Sequence, residues 1–281
     1  MKRKLLNLYY YKDESNFGDA LNLCLLQTLF NMNVKYKDIQ RCDCVCIGSL
    51  LQLLVSSPLP FRDKIKRFFS RRIAIWGTGF IKHAPDTPHT LSRKTRIYAL
   101  RGKITLARMQ KYTKKRLHHV ILGDPGLLAN RLIDTNKVKK KYKLGIIPHY
   151  VDKNNPLLQN INVEKSIIID VQKPVIDVLK QIAECENIIS SAMHGLIVAD
   201  SLGIPNIRMI LSDKIVGGDY KFQDYYSAFD MEMPTPILIT ERTRITNVDF
   251  IKQAYTVSPA KVEQICQKLL QAFPYKNRKK K

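Results

Sequence analysis

Short apolar runs separated by polar turns recur along the first half of the chain. Residues 5–10 form one such run, and the polar segment 16–20 separates it from the apolar segment 21–30. This order predicts a strand, a turn and a helix. Further apolar runs, several of which end in glycine, predict strands at 44–47, 72–76, 96–100 and 120–122. Strands that alternate with helical or loop segments are typical of a parallel sheet.

The second half of the chain repeats this pattern after a lysine-rich polar stretch at 131–143. Apolar runs predict strands at 144–147, 166–171, 187–190 and 207–211, with helices at 175–184 and 195–202. Two such halves predict an α/β fold of two Rossmann-like domains, with ligands bound in the cleft between them. The predicted bounds are 1–136 for the first domain, 143–257 for the second, 258–273 for a closing helix and 274–281 for a basic tail.

The start of the closing helix is the clearest boundary in the sequence. Ser258 is expected to be its N-cap and Pro259 its first residue, while Val257 is placed to pack against Val262. Apolar positions with helical spacing predict a stripe that faces the core: Val262, Ile265, Leu269, Leu270 and Phe273. The basic residues at 276–281 are expected to form a disordered tail.

Composition limits what such a protein can be. A chain of 281 residues suffices for about two domains, and 45% hydrophobic residues argue against a disordered polycation. With 47 Lys+Arg and 24 Asp+Glu, the net charge is +23. Such an excess indicates an anionic partner: nucleic acid, a phosphorylated metabolite or an acidic membrane surface. Charge alone does not choose among the three.

The cysteines and the apolar runs disfavour a disulfide scaffold and a membrane span. The 6 cysteines lack the paired spacing of a disulfide framework or zinc ribbon, so reduced thiols are expected. Cys42, Cys44 and Cys46 would share one face of a strand, as small buried side chains rather than metal ligands. The apolar run at 45–55 is shorter than the roughly 20 residues that span a bilayer. The first apolar run is interpreted as a strand and not a signal peptide.

Glycine-bearing turns follow several of the predicted strands, and the exposed amides of such turns bind anions. They lie at 16–19, at 77–79 and at Gly195. None of them matches a dinucleotide fingerprint, and the chain has no P-loop lysine motif. The sequence therefore disfavours a dinucleotide enzyme and a P-loop NTPase.

Four chemically versatile side chains follow predicted strands. An imidazole at His194, where an apolar strand turns into a helix, is either a structural histidine or a general acid or base. His149 occupies the equivalent position after another strand and could bind substrate. The planar guanidinium of Arg101 would suit a carboxylate or phosphate in the cleft. Asp124 is favoured as the cap of its own turn, with the orienting of a substrate hydroxyl as the alternative.

A set of short motifs follows a fixed order along the chain. The motifs are NFGDALN at 16–22, WGTG at 76–79, LRG at 100–102, GDP at 123–125, IPH at 147–149, SSAMHGLI at 190–197 and KFQDYY at 221–226. Taken together they resemble the polysaccharide pyruvyl transferase family, from about residue 8 to about residue 230. An ordered set is far more specific than any one of these motifs.

The resemblance implies a two-domain fold like that of the GT-B glycosyltransferases. It also implies transfer of the pyruvyl group from phosphoenolpyruvate to a sugar, commonly as a cyclic ketal. His194 would donate a proton to the methylene carbon, and Arg101 would bind the donor. Some members carry an arginine two residues before that histidine, where this chain has Ala192. Lys221 and His149 are the expected substitutes.

The remaining site residues are assigned by the same hypothesis. Gly195 would contribute to the phosphoenolpyruvate site. Asn16, Asp19 and Asp124 would bind the acceptor sugar or orient its hydroxyls. No metal is expected, because the sequence shows no cluster of metal ligands, and no cofactor is expected beside phosphoenolpyruvate as the donor substrate.

The resemblance also implies an acceptor and a place in the cell. The acceptor would be a hexose, with galactose as one case, in a lipid-linked oligosaccharide of a surface polysaccharide such as a capsule. Basic runs at 62–72 and at the carboxyl end could hold a peripheral protein at the anionic cytoplasmic face of the inner membrane, and solvated charge explains each run equally well.

Two other function classes compete with this interpretation. A nucleotide-sugar-dependent GT-B glycosyltransferase is the alternative with the same architecture. A nucleic-acid-binding protein is disfavoured, because the chain has no RRM, KH or zinc-finger signature. The sequence leaves open the oligomeric state, the identity of the sugar and the pair of hydroxyls that would be joined.

Overall fold

The fold is given by a computed structural model that describes residues 3–12, 16–57, 60, 62, 65, 69–84, 89–255 and 257–275. The strands are β1 Lys4–Leu8, β2 Met32–Tyr36, β3 Cys44–Val45, β4 Val55–Ser56, β5 Ile73–Trp76, β6 Thr90–Leu91, β7 Thr95–Leu100, β8 Ile121–Leu122, β9 Tyr142–Ile147, β10 Ser166–Ile168, β11 Cys185–Ser190, β12 Asn206–Ile210 and β13 Ile237–Leu238. The α-helices are α1 Phe17–Phe30, α2 Lys103–Lys111, α3 Val175–Ala183, α4 Met193–Ser201, α5 Tyr220–Ser227, α6 Asp249–Ala254 and α7 Pro259–Ala272. Short 3-10 helices lie at Leu51–Leu54, Pro125–Arg131, Thr135–Lys137, Tyr150–Asp152 and Pro156–Asn160.

Two parallel sheets organise the chain. The first is 6-stranded, in the order β2-β1-β3-β5-β7-β8, and the second is 5-stranded, in the order β10-β9-β11-β12-β13. An antiparallel pair of β4 with β6 stands apart from both. The predicted mixed α/β class with parallel sheets is confirmed, and the predicted domain bounds stay a prediction.

The first helix starts earlier than the hydrophobic pattern predicts. The side chain of Asn16 accepts a hydrogen bond from the amide of Gly18 at 3.4 Å, so the predicted turn is the first turn of α1. The helix ends at Asn31 in the left-handed conformation (φ 51), and β2 follows directly. Sequence reasoning missed β2 because this edge strand is only half buried and has no continuous apolar run.

The cysteine prediction is only partly right. Cys42, Cys44 and Cys46 are all buried, as expected of small core side chains. Cys44 and Cys46 face one core cluster, but Cys42 packs in another cluster with Val45. The expected common face is therefore wrong for Cys42, because strand β3 begins only at Cys44.

The last helix returns to the first sheet. The indole of Trp76 donates to the carbonyl of Leu269 at 3.1 Å, and the rings of Phe30 and Phe273 stack 3.8 Å apart. A Cβ on Gly123 would lie 2.4 Å from a methyl carbon of Ile265, so only glycine allows this close approach. The core of the first sheet is therefore completed by residues from the end of the chain.

The predicted first residue of α7 is confirmed, but the predicted capping contact at its start is not formed. Pro259 is the first residue of α7, and Val257 and Val262 are both buried in the same cluster. Ser258 occupies the N-cap position, but its side chain makes no capping hydrogen bond. Of the predicted stripe, Leu270 is only partly buried.

A buried ion pair connects the two halves of the chain. The Nε of Arg101 lies 2.9 Å from Oδ2 of Asp224, and both side chains are 0% exposed. The amide and hydroxyl of Thr105 each donate to Asp224 at 2.7 Å. A Cβ on Gly102 would lie 1.6 Å from the carbonyl oxygen of Asp224, so α2 and α5 are in close contact.

The basic runs are described only in part. Residues 63, 64 and 66–68 of the run at 62–72, and residues 276–281 of the predicted tail, lie outside the described residues. In the part of the chain that the structure describes, no helix has the length and apolar character needed to cross a bilayer.

We expect Asp224→Ala to lower the free energy of unfolding by about 3–5 kcal/mol, because it leaves the buried guanidinium of Arg101 without a counter-charge. Urea unfolding followed by circular dichroism measures this loss. Asp230→Ala is the matched control, since Asp230 makes exposed ion pairs with Lys103 and Lys261. The control should lose far less stability, because exposed pairs are screened by solvent. Equal losses in the two variants would contradict the role given to the buried pair.

Candidate functional site

A cavity of about 440 Å³ is lined by loops from both sheets. Its wall is formed by the segments that follow β1, β3, β5, β9, β10, β11 and β12, together with α5. Ligands of open parallel sheets bind at these carboxyl ends of the strands. The predicted site residues that line it are Asn16, Asp19, His149, His194, Gly195 and Lys221. Arg101 and Asp124 lie behind this wall.

The start of α1 brings a carboxyl group to the cavity. Asp19 is only 8% exposed, and its Oδ1 accepts a hydrogen bond from the amide of Tyr11 at 3.0 Å. Burial raises the pKa of Asp19 to about 6, against the lowering effect of hydrogen bonds from Tyr11 and Asn16. A carboxyl group with such a pKa can accept or release a proton near neutral pH.

The loop after β9 holds His149 in a fixed orientation. Its amide donates to the hydroxyl of Ser191 at 2.8 Å, and its Nδ1 accepts from the amide of Val151 at 3.4 Å. Burial, and then the positive charge of Lys221, lower the pKa of His149 to about 4. His149 is therefore a neutral imidazole at neutral pH.

His194 lies in the first turn of α4, where its ring packs directly on α1. A Cβ on Gly18 would lie 2.1 Å from Nδ1 of His194, so the absence of a side chain there makes room for the ring. Burial lowers the pKa of His194 to about 3, assisted by the charges of Arg101, Lys221 and His149. The unliganded protein therefore holds a neutral imidazole, although the expected proton donor needs a protonated one.

Asp124 caps its own turn, as favoured from the sequence, and it also faces the histidine. Its Oδ1 accepts from the amide of Gly126 at 2.9 Å. Its Oδ2 lies 4.0 Å from Nε2 of His194, and neither buried atom has a hydrogen-bond partner among the described residues. Burial raises the pKa of Asp124 to about 6. Asp124 is 0% exposed and reaches the cavity only through His194.

Lys221, in the first turn of α5, brings a largely buried positive charge to the cavity wall, which the exposed Lys214 also lines. The side chain of Lys221 lines the cavity although the residue is only 9% exposed. Burial, and then the charges of Arg101 and Arg208, lower the pKa of Lys221 to about 8. No carboxylate of the described residues pairs with its ammonium group. A buried ammonium without a counter-charge gives this wall an affinity for anions.

Arg101 follows β7 as predicted, but its guanidinium does not line the cavity. Besides Asp224, it donates from Nη1 to the hydroxyl of Ser49 at 2.7 Å and from Nη2 to the carbonyl of Phe80 at 2.5 Å. Ser49 itself lines the cavity. Direct binding of substrate by Arg101 stays a prediction, and in this conformation its contact with the cavity runs through Ser49.

The position that departs from the family pattern lies in the cavity wall. Ala192 and Gly195 both line the cavity at the start of α4. A Cβ on Gly195 would lie 2.5 Å from the hydroxyl of Ser190, so glycine lets α4 begin close to the end of β11. Lys221 and His149 line the same cavity as Ala192, and the expected substitution for the family's arginine stays a prediction.

Sequence reasoning missed part of the wall. Ser49 follows Gly48, a glycine in a left-handed conformation (φ 114) after β3, and this turn could have been found by the rule applied to other strand ends. The loop that carries Lys214 and Val216 follows β12 and contains Gly217 and Gly218, so the same rule could have found it. At Gly217 (φ 90) this loop approaches the other half so closely that a Cβ would lie 2.1 Å from the carbonyl oxygen of residue 81.

The cavity offers acid–base groups and an anion site rather than an evident metal site. Among the described residues, no group of three His, Cys, Asp or Glu side chains is arranged to hold a metal ion. The carboxyl of Asp19 and the imidazoles of His149 and His194 are the groups at the wall that can exchange protons. The arrangement suits proton transfer to or from an anionic ligand.

Comparisons with known proteins give one family. Residues 16–213 match the family model described as polysaccharide pyruvyl transferase. An uncharacterized protein of Acanthamoeba polyphaga mimivirus is 30% identical over 236 residues, which cover 82% of this chain and 76% of the viral protein.

Two solved structures resemble the chain more distantly. A functionally uncharacterized protein of Klebsiella pneumoniae subsp. pneumoniae has 13% identity and a TM-score of 0.43, with coverage of 85% of this chain and 93% of that chain. The wall teichoic acid polymerase TagF has 10% identity and a TM-score of 0.40, with coverage of 96% and 83% respectively.

We expect Lys221→Met to raise the pKa of both His149 and His194, because it removes a positive charge that opposes their protonation. Burial persists in the variant, so both values should stay below the ordinary 6.5. A pH titration of the histidine ring signals by NMR measures the change. Lys214→Met removes an exposed lysine from the same cavity and should leave both values in place. An unchanged titration of His149 in Lys221→Met would exclude the electrostatic coupling.

Proposed function

The chain belongs to the polysaccharide pyruvyl transferase family, and we propose that it transfers the pyruvyl group of phosphoenolpyruvate to a hexose as a cyclic ketal. The observation that carries this proposal is the buried ammonium of Lys221 at the cavity wall, which has no carboxylate partner among the described residues. Phosphoenolpyruvate carries a phosphate and a carboxylate, and such a wall favours a compact anion with both.

The proposed donor site lies on the side of the second sheet. Lys221, His149 and the start of α4 at Gly195 line this side of the cavity. The amides of a helix amino terminus favour a phosphate, and the ammonium favours either anionic group. The fixed charge of Arg101 lies behind the wall and adds to the positive potential that Lys221 experiences.

The proposed acceptor site lies at the start of α1. Asn16 and Asp19 line the cavity there, and Asp19 has a pKa raised to about 6. A carboxylate beside a sugar hydroxyl orients it and takes its proton during attack. Asp124 was expected to share this role, but it lies behind His194 and does not line the cavity.

The bound donor itself would make His194 an acid. The charges of Arg101 and Lys221 lower the pKa of His194 in the unliganded protein. A phosphate and a carboxylate beside Lys221 oppose this effect, so the binding of phosphoenolpyruvate would raise the pKa of the imidazole. Transfer of a proton through His194 to the methylene carbon is therefore easier with the donor bound than in the unliganded protein.

The reaction proceeds through a cationic central carbon. A proton adds to the methylene carbon of phosphoenolpyruvate, one acceptor hydroxyl forms a bond to the central carbon, and phosphate leaves. A second hydroxyl of the same sugar closes the ketal. Of the two hydroxyl protons released, one replaces the proton used at the methylene carbon and the other leaves with phosphate.

The proposed acceptor is a hexose such as galactose in a lipid-linked oligosaccharide of surface polysaccharide synthesis. An enzyme with such a substrate works at the cytoplasmic face of a membrane as a peripheral protein. The net charge of +23 supports attraction to anionic headgroups.

Ligand-dependent thermal unfolding tests the donor before any acceptor is known. Phosphoenolpyruvate at 100 times its dissociation constant should stabilise the protein by about 2.7 kcal/mol. Lys221→Met should lose most of this shift, whereas Lys214→Met, at an exposed position of the same cavity, should keep it. Stabilisation by UDP or a UDP-sugar without a response to phosphoenolpyruvate would replace the proposal with a glycosyltransferase, and a response only to RNA would overturn both.

Removal of the proposed proton donor should separate binding from turnover. We expect His194→Gln to keep the stabilisation by phosphoenolpyruvate and to lower kcat by about 10²–10⁴-fold, the usual contribution of a general acid. Phosphate release and NMR of the ketal product measure turnover. His118→Gln, at an exposed position, is the control and should behave as the native protein. Normal turnover in His194→Gln would assign the proton to another group.

A further inference from the structure

Two buried polar atoms from opposite halves of the chain face each other without partners. They are Oδ2 of Asp124 after β8 in the first sheet and Nε2 of His194 after β11 in the second, 4.0 Å apart. An unpaired buried polar atom is costly, and two that face each other call for a functional explanation. The separation exceeds a hydrogen bond, but catalytic hydrogen bonds are often long before substrate binds.

Contacts of both side chains direct these two atoms toward each other. The other oxygen of Asp124 accepts from the amide of Gly126 at 2.9 Å, which fixes the direction of Oδ2. The ring of His194 packs against Gly18, where an added Cβ would lie 2.1 Å from Nδ1. Because Nε2 is directed at Asp124, Nδ1 is the ring nitrogen left for a ligand in the cavity.

We propose that Asp124 is a positioning residue that supplies His194 with a proton, so that each half of the chain contributes one member of a proton relay. This inference rests on the proposed function. Oδ2 of Asp124 passes its proton to Nε2 of His194 while the proton on Nδ1 moves to the methylene carbon of phosphoenolpyruvate. The imidazole is neutral before and after this step, and Asp124 ends as a carboxylate. A proton from an acceptor hydroxyl then returns to the pair.

The surroundings explain why a relay suits this site better than an imidazolium ion. Arg101, Lys221 and His149 face His194 and oppose a positive charge on its ring. Burial is the largest effect on the pKa of Asp124 and raises it to about 6. Of the two charged groups that face Asp124, Arg101 lowers this pKa and Asp224 raises it. A carboxyl group therefore holds the proton more readily here than the imidazole does. The side chain of His194 is 14% exposed, and none of that surface belongs to the buried Nε2.

The relay predicts a tautomer switch in the free protein, which can be measured without any substrate. Below pH 6 the carboxyl of Asp124 is protonated and His194 carries its proton on Nδ1. As pH rises through about 6 the carboxylate forms, and the imidazole proton moves to Nε2 to face it. NMR of protein labelled with ¹⁵N-histidine, assigned with His194→Gln, distinguishes the two neutral tautomers between pH 5 and pH 8.

Asp124→Asn keeps the cap and the volume of the side chain but has no proton to give. The variant should show the Nδ1–H tautomer at every pH. The matched control is Asp134→Asn, because Asp134 caps another 3-10 helix through the amide of Asn136 and is not paired with a histidine. A switch in the native protein and the control, but not in Asp124→Asn, supports the relay. A single tautomer throughout the range in the native protein overturns it, whether or not the variant folds.

Turnover provides the second readout. In Asp124→Asn, kcat should fall at least 100-fold while the KM for phosphoenolpyruvate changes less than threefold. The decline of kcat/KM as pH rises through the pKa of Asp124 should also disappear. A variant that loses only thermal stability and keeps the native pH profile would reduce Asp124 to a cap and overturn the relay. If the native protein shows the tautomer switch but does not bind phosphoenolpyruvate, the coupling of Asp124 to His194 is supported and phosphoenolpyruvate as the pyruvyl donor is refuted.

Discussion

The buried ion pair between Arg101 and Asp224 is the constraint on which the site depends. A guanidinium and a carboxylate without solvent contact are tolerated only because their hydrogen bonds are satisfied, and here Thr105, Ser49 and Phe80 complete the set. The pair fixes α5 of one half against α2 of the other. Lys221 lies one helical turn before Asp224, so the same contact places the cation at the cavity wall. The same contacts therefore join the two halves of the chain and position the cavity wall.

The sequence predicts the fold well where strands are buried and poorly where they are not. Central strands such as β9 and β11 contain short buried apolar runs, and their positions follow from hydrophobicity. The edge strand β2 alternates and gives no such run. The side of the sheet on which Cys42 packs could not be predicted from the sequence. Alternation of side chains between two faces holds only within a strand, and Cys42 lies before the start of β3.

For the site, strand ends predict which side chains reach the cavity but not what those side chains contact. His149 and His194 follow from this rule, and Lys221 needed the family resemblance. Arg101 is at the predicted strand end, but its partner Asp224 is 123 residues away in the chain. The contact between Oδ2 of Asp124 and His194 likewise joins segments that no local pattern relates.

The return of the last helix to the first sheet has a consequence for synthesis on the ribosome. Trp76 and its hydrogen-bond partner Leu269 are separated by 193 residues in the chain. Because synthesis adds roughly 5–20 residues per second, Leu269 is added roughly 10–40 s after Trp76. During this interval the apolar surface around Trp76 and Phe30, which Phe273 finally covers, is open to solvent. The aromatic core of the nascent first half therefore stays incomplete, and open to aggregation, until α7 has been synthesised.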